Sequence, residues 1–312
     1  MFDYKLLSAL AAVIEQGGFE RAAAALGLSQ SAVSQRIKLL EARVGEPVLV
    51  RALPPEPTGI GRRLLNHVQQ VRLLERDLRG RVPALDEDKL PERLRVALNA
   101  DSLATWWAGA IGSFCSEHGL LLDLVVEDQD VGLKRMRAGE VAACVCAAER
   151  PVAGARSEPL GAMRYRPLAT PAFIQRWMPG GFSPEALAAA PALVFGPDDF
   201  LQHRYMASLG VSSVQVYHLC PSSEGFMRMA EAGAGWGLIP EMQAARLLAE
   251  GVLVELLPGY HSDVPLYWHH WRNGGELLAA LTRHLLREAP RALIPPAGVL
   301  STHGNEQPRG DA

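Results

Sequence analysis

Six side chains that can hydrogen-bond or carry charge fall within nine residues: Gln30, Ser31, Ser34, Gln35, Arg36 and Lys38. Ser31, Ser34, Gln35 and Lys38 are spaced i, i+3, i+4 and i+7, so on a helix they share one face, with Arg36 beside it. Short amides and hydroxyls can read base edges in a major groove, and cations neutralise phosphates. Val33, Ile37, Leu40 and Val44 make an apolar stripe on the opposite side of the same helix. The same pattern also fits an ordinary helical hairpin with a solvated face. A second set of polar residues is spread over the rest of the chain. Ser102 and Ser223 stand where helices are expected to begin, after strands, and hydroxyls with free N–H groups there suit a carboxylate. Asp101 adjoins the first of them. Glu127, Asp128, Asp130, Asp198 and Asp199 end loops in both halves of the body and suit a cation. Together they describe a pocket for a zwitterion with a basic side chain, such as arginine or lysine. The plain alternative is that Asp101, Ser102 and Ser223 are N-caps and the acids are solvated.

Support for catalysis is weak. The chain contains no G-x-S-x-G, no G-x-x-x-x-G-K-[ST] and no H-E-x-x-H. His269 and His270 are adjacent and so face opposite sides of an expected strand, which suits a structural role better than shared ligation. Cys144 and Cys146 share a face without a second pair or a nearby histidine in sequence, which is poor zinc spacing. With Cys115 and Cys220 they read as buried free thiols of a reducing compartment. The Gly-rich run from Gly233 to Gly237 precedes a strand, whereas a dinucleotide fingerprint follows one.

The elements that must position these residues can be read in order. Residues 4–16 are helical, and Gly17-Gly18 ends that helix. The Ala-rich segment from Arg21 to Leu26 forms a second helix, Gly27 can take the positive φ that ends it, and Ser29 can cap the helix from Gln30. Residues 48–51 are β-prone and Pro54-Pro55-Glu56-Pro57 returns the chain, so they read as a wing, with Arg51 as a phosphate contact. Thr58 caps a long helix over 59–82. Leu64, Val68, Val71, Leu74 and Leu78 form a narrow seam along it, which asks for a partner. Pairing with a second copy would place two DNA-reading heads for two half-sites. Residues 83–92 are Pro-bounded and acidic, a hinge. A β-α-β-α-β rhythm then runs from residue 93 to 147, and a similar one follows residue 159. Two α/β units imply two lobes with a cleft between them.

The chain has 312 residues, 48% hydrophobic and 21% charged, which suits two or three globular domains. Its net charge is −3, but residues 1–81 hold 12 Lys and Arg against 8 Asp and Glu, while the rest holds 19 against 26. A mildly basic head on an acidic body fits DNA contact through the head alone. No apolar run approaches the roughly 20 residues that a membrane helix needs. Asp3 and the lack of a cleavage site argue against a signal peptide, so a cytoplasmic protein is expected.

AAAALGLSQSAVSQRIKLLEARVGEPVLVR followed by PTGIGRRLL resembles the winged helix-turn-helix of LysR-type transcriptional regulators. ALNADSLATWW, VEDQD, PSSEGF and LYWHHW extend the resemblance over most of the chain, to the ArgP/LysG branch that responds to arginine and lysine and controls basic amino-acid export. It implies an all-α winged helix-turn-helix over 1–58, a linker and dimerisation helix with its hinge over 59–91, and an α/β effector domain of periplasmic-binding-protein type over 92–295. Lobe 1 would take 92–160 and 261–295, lobe 2 would take 161–260, and 296–312 would be a tail. It also implies a homodimer or tetramer built on the linker helix, palindromic promoter DNA and RNA polymerase as partners, no cofactor, and L-arginine or L-lysine as effector. Val50 stands where many relatives carry Phe, and the Gly196-Pro197 before Asp198 departs from the branch. A LysR-type regulator answering another effector stays open, and outside regulators so do a solute-binding protein and an enzyme using the cleft.

Overall fold

The computed structural model describes residues 3–50, 52–82, 93–127, 132–211 and 214–295. Arg51, Asp128, Asp130, the hinge over 83–92 and the tail from 296 lie outside them, as does the side chain of Glu127.

The head begins with Tyr4–Glu15, capped by the Asp3 carboxylate, which accepts from Lys5 N. Phe19–Leu26 follows, and Gly27 ends it at φ +63°. Ser29 then caps Gln30–Val44 by accepting from Ala32 N, so the expected turn forms through local chemistry alone. Val33, Ile37 and Leu40 are buried against Leu6, Leu10 and Val13. The wing is Leu49–Val50 paired antiparallel with Glu56–Pro57. Its tip carries Leu53, almost fully exposed.

Thr58 fixes the start of the linker helix Gly59–Arg81, accepting from Gly61 N and donating to Pro47 O. The seam read along this helix divides in two. Leu64, Leu65 and Val68 close the head's own core, while Leu74 and Leu78 are about half exposed. Among the described seam residues it is Leu74 and Leu78 that offer apolar surface to another chain.

The body is organised by one seven-stranded sheet. Arg93–Asn99, Leu121–Glu127 and Ala143–Cys146 run parallel, with Arg93–Asn99 in the middle, as the βαβ rhythm requires. Ala155–Ala169 is one 15-residue strand, antiparallel to Ser262–Trp271, with a register shift between Leu266 and Tyr267. The sequence shows only its second half, because Pro159 and Gly161 interrupt the pattern. This strand serves both lobes. Its first part pairs beside the parallel strands through Ser262–Trp271, and its end pairs with Gly237–Pro240 and Val254–Glu255. Ala192–Val194 and Tyr217–Leu219 form a small parallel sheet of lobe 2. Trp107, Trp268 and Trp271 fill the lobe 1 core, and Trp236 fills that of lobe 2.

Gly61 shows how closely the head is packed. A Cβ there would lie 2.0 Å from the Val48 carbonyl oxygen, a backbone atom with nowhere to go. Gly61→Ala is expected to destabilise the head by about 1–3 kcal/mol. A urea titration followed by circular dichroism checks this, and a wild-type midpoint would refute the contact.

Candidate functional site

Arg93–Asn99 carries the chain to the cleft, and the helical turn Ala100–Ser102 starts there. A π-helical turn, Leu103–Trp107, continues it into Ala108–His118. Asp101 therefore sits at the carboxyl end of a central strand and in the first turn of a helix. Its carboxylate is gripped twice. Ser223 Oγ donates to Oδ1 at 2.7 Å, and Tyr165 Oη donates to Oδ2 at 2.8 Å. Ser223 opens the lobe 2 helix Ser223–Glu231, and Tyr165 stands on the long crossing strand. One carboxylate thus ties both lobes to the strand that crosses between them.

Asp101 borders an open cavity of about 500 Å³, counting its mouth. Asp199 faces it from lobe 2. Both Asp199 oxygens accept backbone N–H groups, from Phe195 and Leu201 at 3.0 Å each, so its own loop holds it in place. Gln243 and the buried Asn99 and Gln202 complete the polar lining. The side-chain oxygens Asn99 Oδ1 and Gln202 Oε1 have no hydrogen-bond partner. Phe195, Leu201, Phe226, Leu238 and Pro240 supply apolar wall. Neither Lys nor Arg is among the lining residues. Two carboxylates thus border a space with no Lys or Arg among the described residues that line it, and the two unpartnered oxygens lie buried in its walls. A donor-rich cationic guest suits two carboxylates that no cation of the lining offsets.

Burial pushes the Asp101 carboxyl above the usual carboxylate range. The Ser223 and Tyr165 hydroxyls oppose the shift, and the Asp199 charge adds to it.

The residues expected at this site separate. Asp101 and Ser223 line the cavity, though Ser223 spends its hydroxyl on Asp101 rather than on a ligand carboxylate. Ser102 does not line it. Its side chain is fully buried and accepts from Trp106 Nε1 at 3.0 Å, which supports the tryptophan. Asp198 is exposed and outside the lining, because the loop turns its neighbour Asp199 inward. Glu127 brings its backbone beside Asn99 through strand pairing. Asp128 lies outside the described residues, as does Arg51 of the wing. Tyr165, Gln202 and Gln243 carry no signal of this site in the sequence, whereas Asn99 belongs to the strand-to-helix segment that also carries Asp101.

On the head, Gln30, Ser31, Gln35 and Lys38 are exposed, and Ser34 and Arg36 are half-buried, all on Gln30–Val44. His269 and His270 each meet a backbone carbonyl, of Ala148 and Trp271.

Residues 4–62 match the family model "Bacterial regulatory helix-turn-helix protein, lysR family", and residues 87–290 match "LysR substrate binding domain". The chain belongs to the LysR family. It is 75% identical over 295 residues to the HTH-type transcriptional regulator ArgP of Pseudomonas fluorescens, covering 95% of this chain and 99% of that one. ArgP of Pseudomonas aeruginosa is 71% identical over 298 residues, covering 96% and 99%. Among solved structures, ArgP from Mycobacterium tuberculosis matches with a TM-score of 0.82 and 38% identity, over 95% of this chain and 100% of that one. Full-length LysG from Corynebacterium glutamicum with bound effector Arg matches with a TM-score of 0.74 and 35% identity, over 94% and 100%. The chain is therefore a LysR-type transcriptional regulator, similar to ArgP, with a DNA-binding head and an effector-binding body. Among the described residues no helix is long and apolar enough to cross a membrane.

Asp101 makes the ligand-free protein pH-sensitive in a definite direction. A carboxyl raised in the folded state stabilises that state at low pH, and the contribution is lost as pH rises through the folded value. The melting temperature of ligand-free wild type is expected to fall across the window just above the ordinary carboxylate range. Asp101→Asn should flatten that part of the profile. Identical profiles by differential scanning fluorimetry would overturn the assignment.

Proposed function

We propose that this LysR-type regulator answers a basic amino acid, L-arginine or L-lysine, held in the cavity between Asp101 and Asp199. The observation that carries the reading is that Asp101 and Asp199 both line a cavity with no Lys or Arg among its described lining residues. A guanidinium or ammonium group satisfies such acceptors, and the apolar wall suits an aliphatic stem. The relative LysG was solved with bound Arg, which supports the same class of ligand. Control of basic amino-acid export is the corresponding physiological role, and no catalytic step is assigned to the cavity.

Regulation follows from geometry shared by both lobes. A guest that binds the Asp101–Asp199 space changes the balance of charge at a carboxylate tied to Ser223 in lobe 2 and Tyr165 on the crossing strand. It shifts the body between arrangements only by binding them with different affinity. We take the exposed Leu74 and Leu78 as the contact with a second copy, which sets two heads on palindromic promoter DNA. Gln30, Ser31, Ser34, Gln35, Arg36 and Lys38 make the groove contacts in this reading, and Arg51 a phosphate contact. RNA polymerase is the partner that the regulator then helps or hinders.

Titration calorimetry with L-arginine, L-lysine and L-citrulline tests the effector. Either basic amino acid should bind, uncharged citrulline should bind at least about tenfold more weakly, and Asp199→Asn should cost a similar factor. Equal binding of citrulline would sink the charge argument. On the head, Ser34→Ala combined with Arg36→Ala should weaken binding to a duplex selected from a random pool by about 2–5 kcal/mol. Unchanged affinity in a salt-controlled gel-shift titration would remove this face from the DNA.

A further inference from the structure

A large groove, about 1970 Å³ counting its open mouth, lies between the head and the body, away from the effector cavity. One wall is the end of the first helix, Arg21, Arg62 and the wing residues Pro54 to Pro57. The other is Arg95 and the segment from Lys134 to Glu140. Six Lys and Arg line it against three glutamates, in a chain whose net charge is negative. Glu15 pairs with Arg72, and two of the six cations are themselves paired, Arg135 with Glu140 and Arg95 with Asp123. Lys134 and Arg137 are exposed on Gly132–Arg137, and neither is in an ion pair among the described residues. The body supplies this positive wall although most of its charge is acidic.

The two walls are held in register. Gly139 has φ +75°, and a Cβ on it would lie 2.7–2.9 Å from Asn66 Oδ1, Asn66 N and Leu65 C of the linker helix. Asn66 Nδ2 also donates to the Arg137 carbonyl at 3.2 Å. Backbone of the body therefore rests directly on the helix that carries the head, and Lys134 and Arg137 stand at a fixed place beside the wing.

We propose that Lys134 and Arg137 contact phosphates of the DNA held by the head, so that operator binding extends onto the effector domain. Charge argues for a polyanion. Duplex DNA offers one negative charge per roughly 1.7 Å of its axis, a spacing that can meet cations on both walls. Continuity argues for the duplex already bound. The wing residues Pro54 to Pro57 line the groove, so a duplex bound by the head and wing would run beside it. Such contacts carry no sequence information, but they position the body relative to the promoter. Effector binding in lobe 1 and lobe 2 would then be felt at the DNA directly as well as through the linker helix.

The test uses full-length protein and a duplex selected from a random pool by wild type, with long flanks. Fluorescence anisotropy across a salt series gives the slope of log K against log salt. Lys134→Ala with Arg137→Ala should make that slope shallower by about two and weaken binding about tenfold or more near physiological salt. Trimming the flanks to the head's footprint should abolish the difference between variant and wild type. The charge-preserving pair Lys134→Arg with Arg137→Lys should keep the wild-type slope, and an unchanged melting temperature certifies folding. A control with the same charge loss on lobe 2, Arg176→Ala with Arg246→Ala, should also keep it. A wild-type slope for the alanine pair, or an equal loss in the lobe 2 control, overturns the proposal. So does preferential capture of a small polyanion such as inorganic tripolyphosphate that leaves DNA affinity untouched.

Discussion

A carboxylate taken out of water must be held by donors or lose its charge, and Asp101 is suspended between these outcomes. Ser223 and Tyr165 give it two O–H donors, while burial and Asp199 press it toward the neutral form. The tension has structural reach because the donors belong to different parts of the body. One opens a lobe 2 helix and the other stands on the strand shared by both lobes. Any change at this carboxylate, whether a proton or a cationic guest, alters what holds the lobes together.

The second carboxylate is built differently. Asp199 gives both oxygens to N–H groups of its own loop, so it is a fixed feature of lobe 2 rather than a bridge. One acid is therefore mobile in its charge and the other constant in its position. In the cavity walls the buried oxygens of Asn99 and Gln202 leave polar capacity unused. The cavity is complementary to something other than itself, which is what a sensor needs and what a stability-optimised core avoids.

The head was legible because its determinants are local. Gly27, Ser29 and the stripe of Val33, Ile37 and Leu40 act within a few residues, and the structure shows the same turn, cap and buried face. Asp101 and Ser223 were legible for a related reason, since both stand where strands hand over to helices at a cleft. Asp198 and Asp199 are neighbours of the same type, and nothing local in the sequence distinguishes them. The choice depends on which carboxylate can reach Phe195 N and Leu201 N. Tyr165 and Gln202 reach the cavity only through the pairing of distant strands and lobes. A hydroxyl at a helix start looks the same in sequence whether it meets a ligand or, as Ser102 does, Trp106.

The long strand Ala155–Ala169 and its partner Ser262–Trp271 are the crossings between lobes, and they are hydrogen-bonded to each other. Two separate tethers would let the lobes roll, slide and twist independently. A paired ribbon bends readily about one axis and resists the rest. The register shift at Leu266 and Tyr267 gives that bend a natural location. Ligands of different size can therefore change how far the body flexes, but hardly in which direction. The output of such a device is a single coordinate, graded in amplitude.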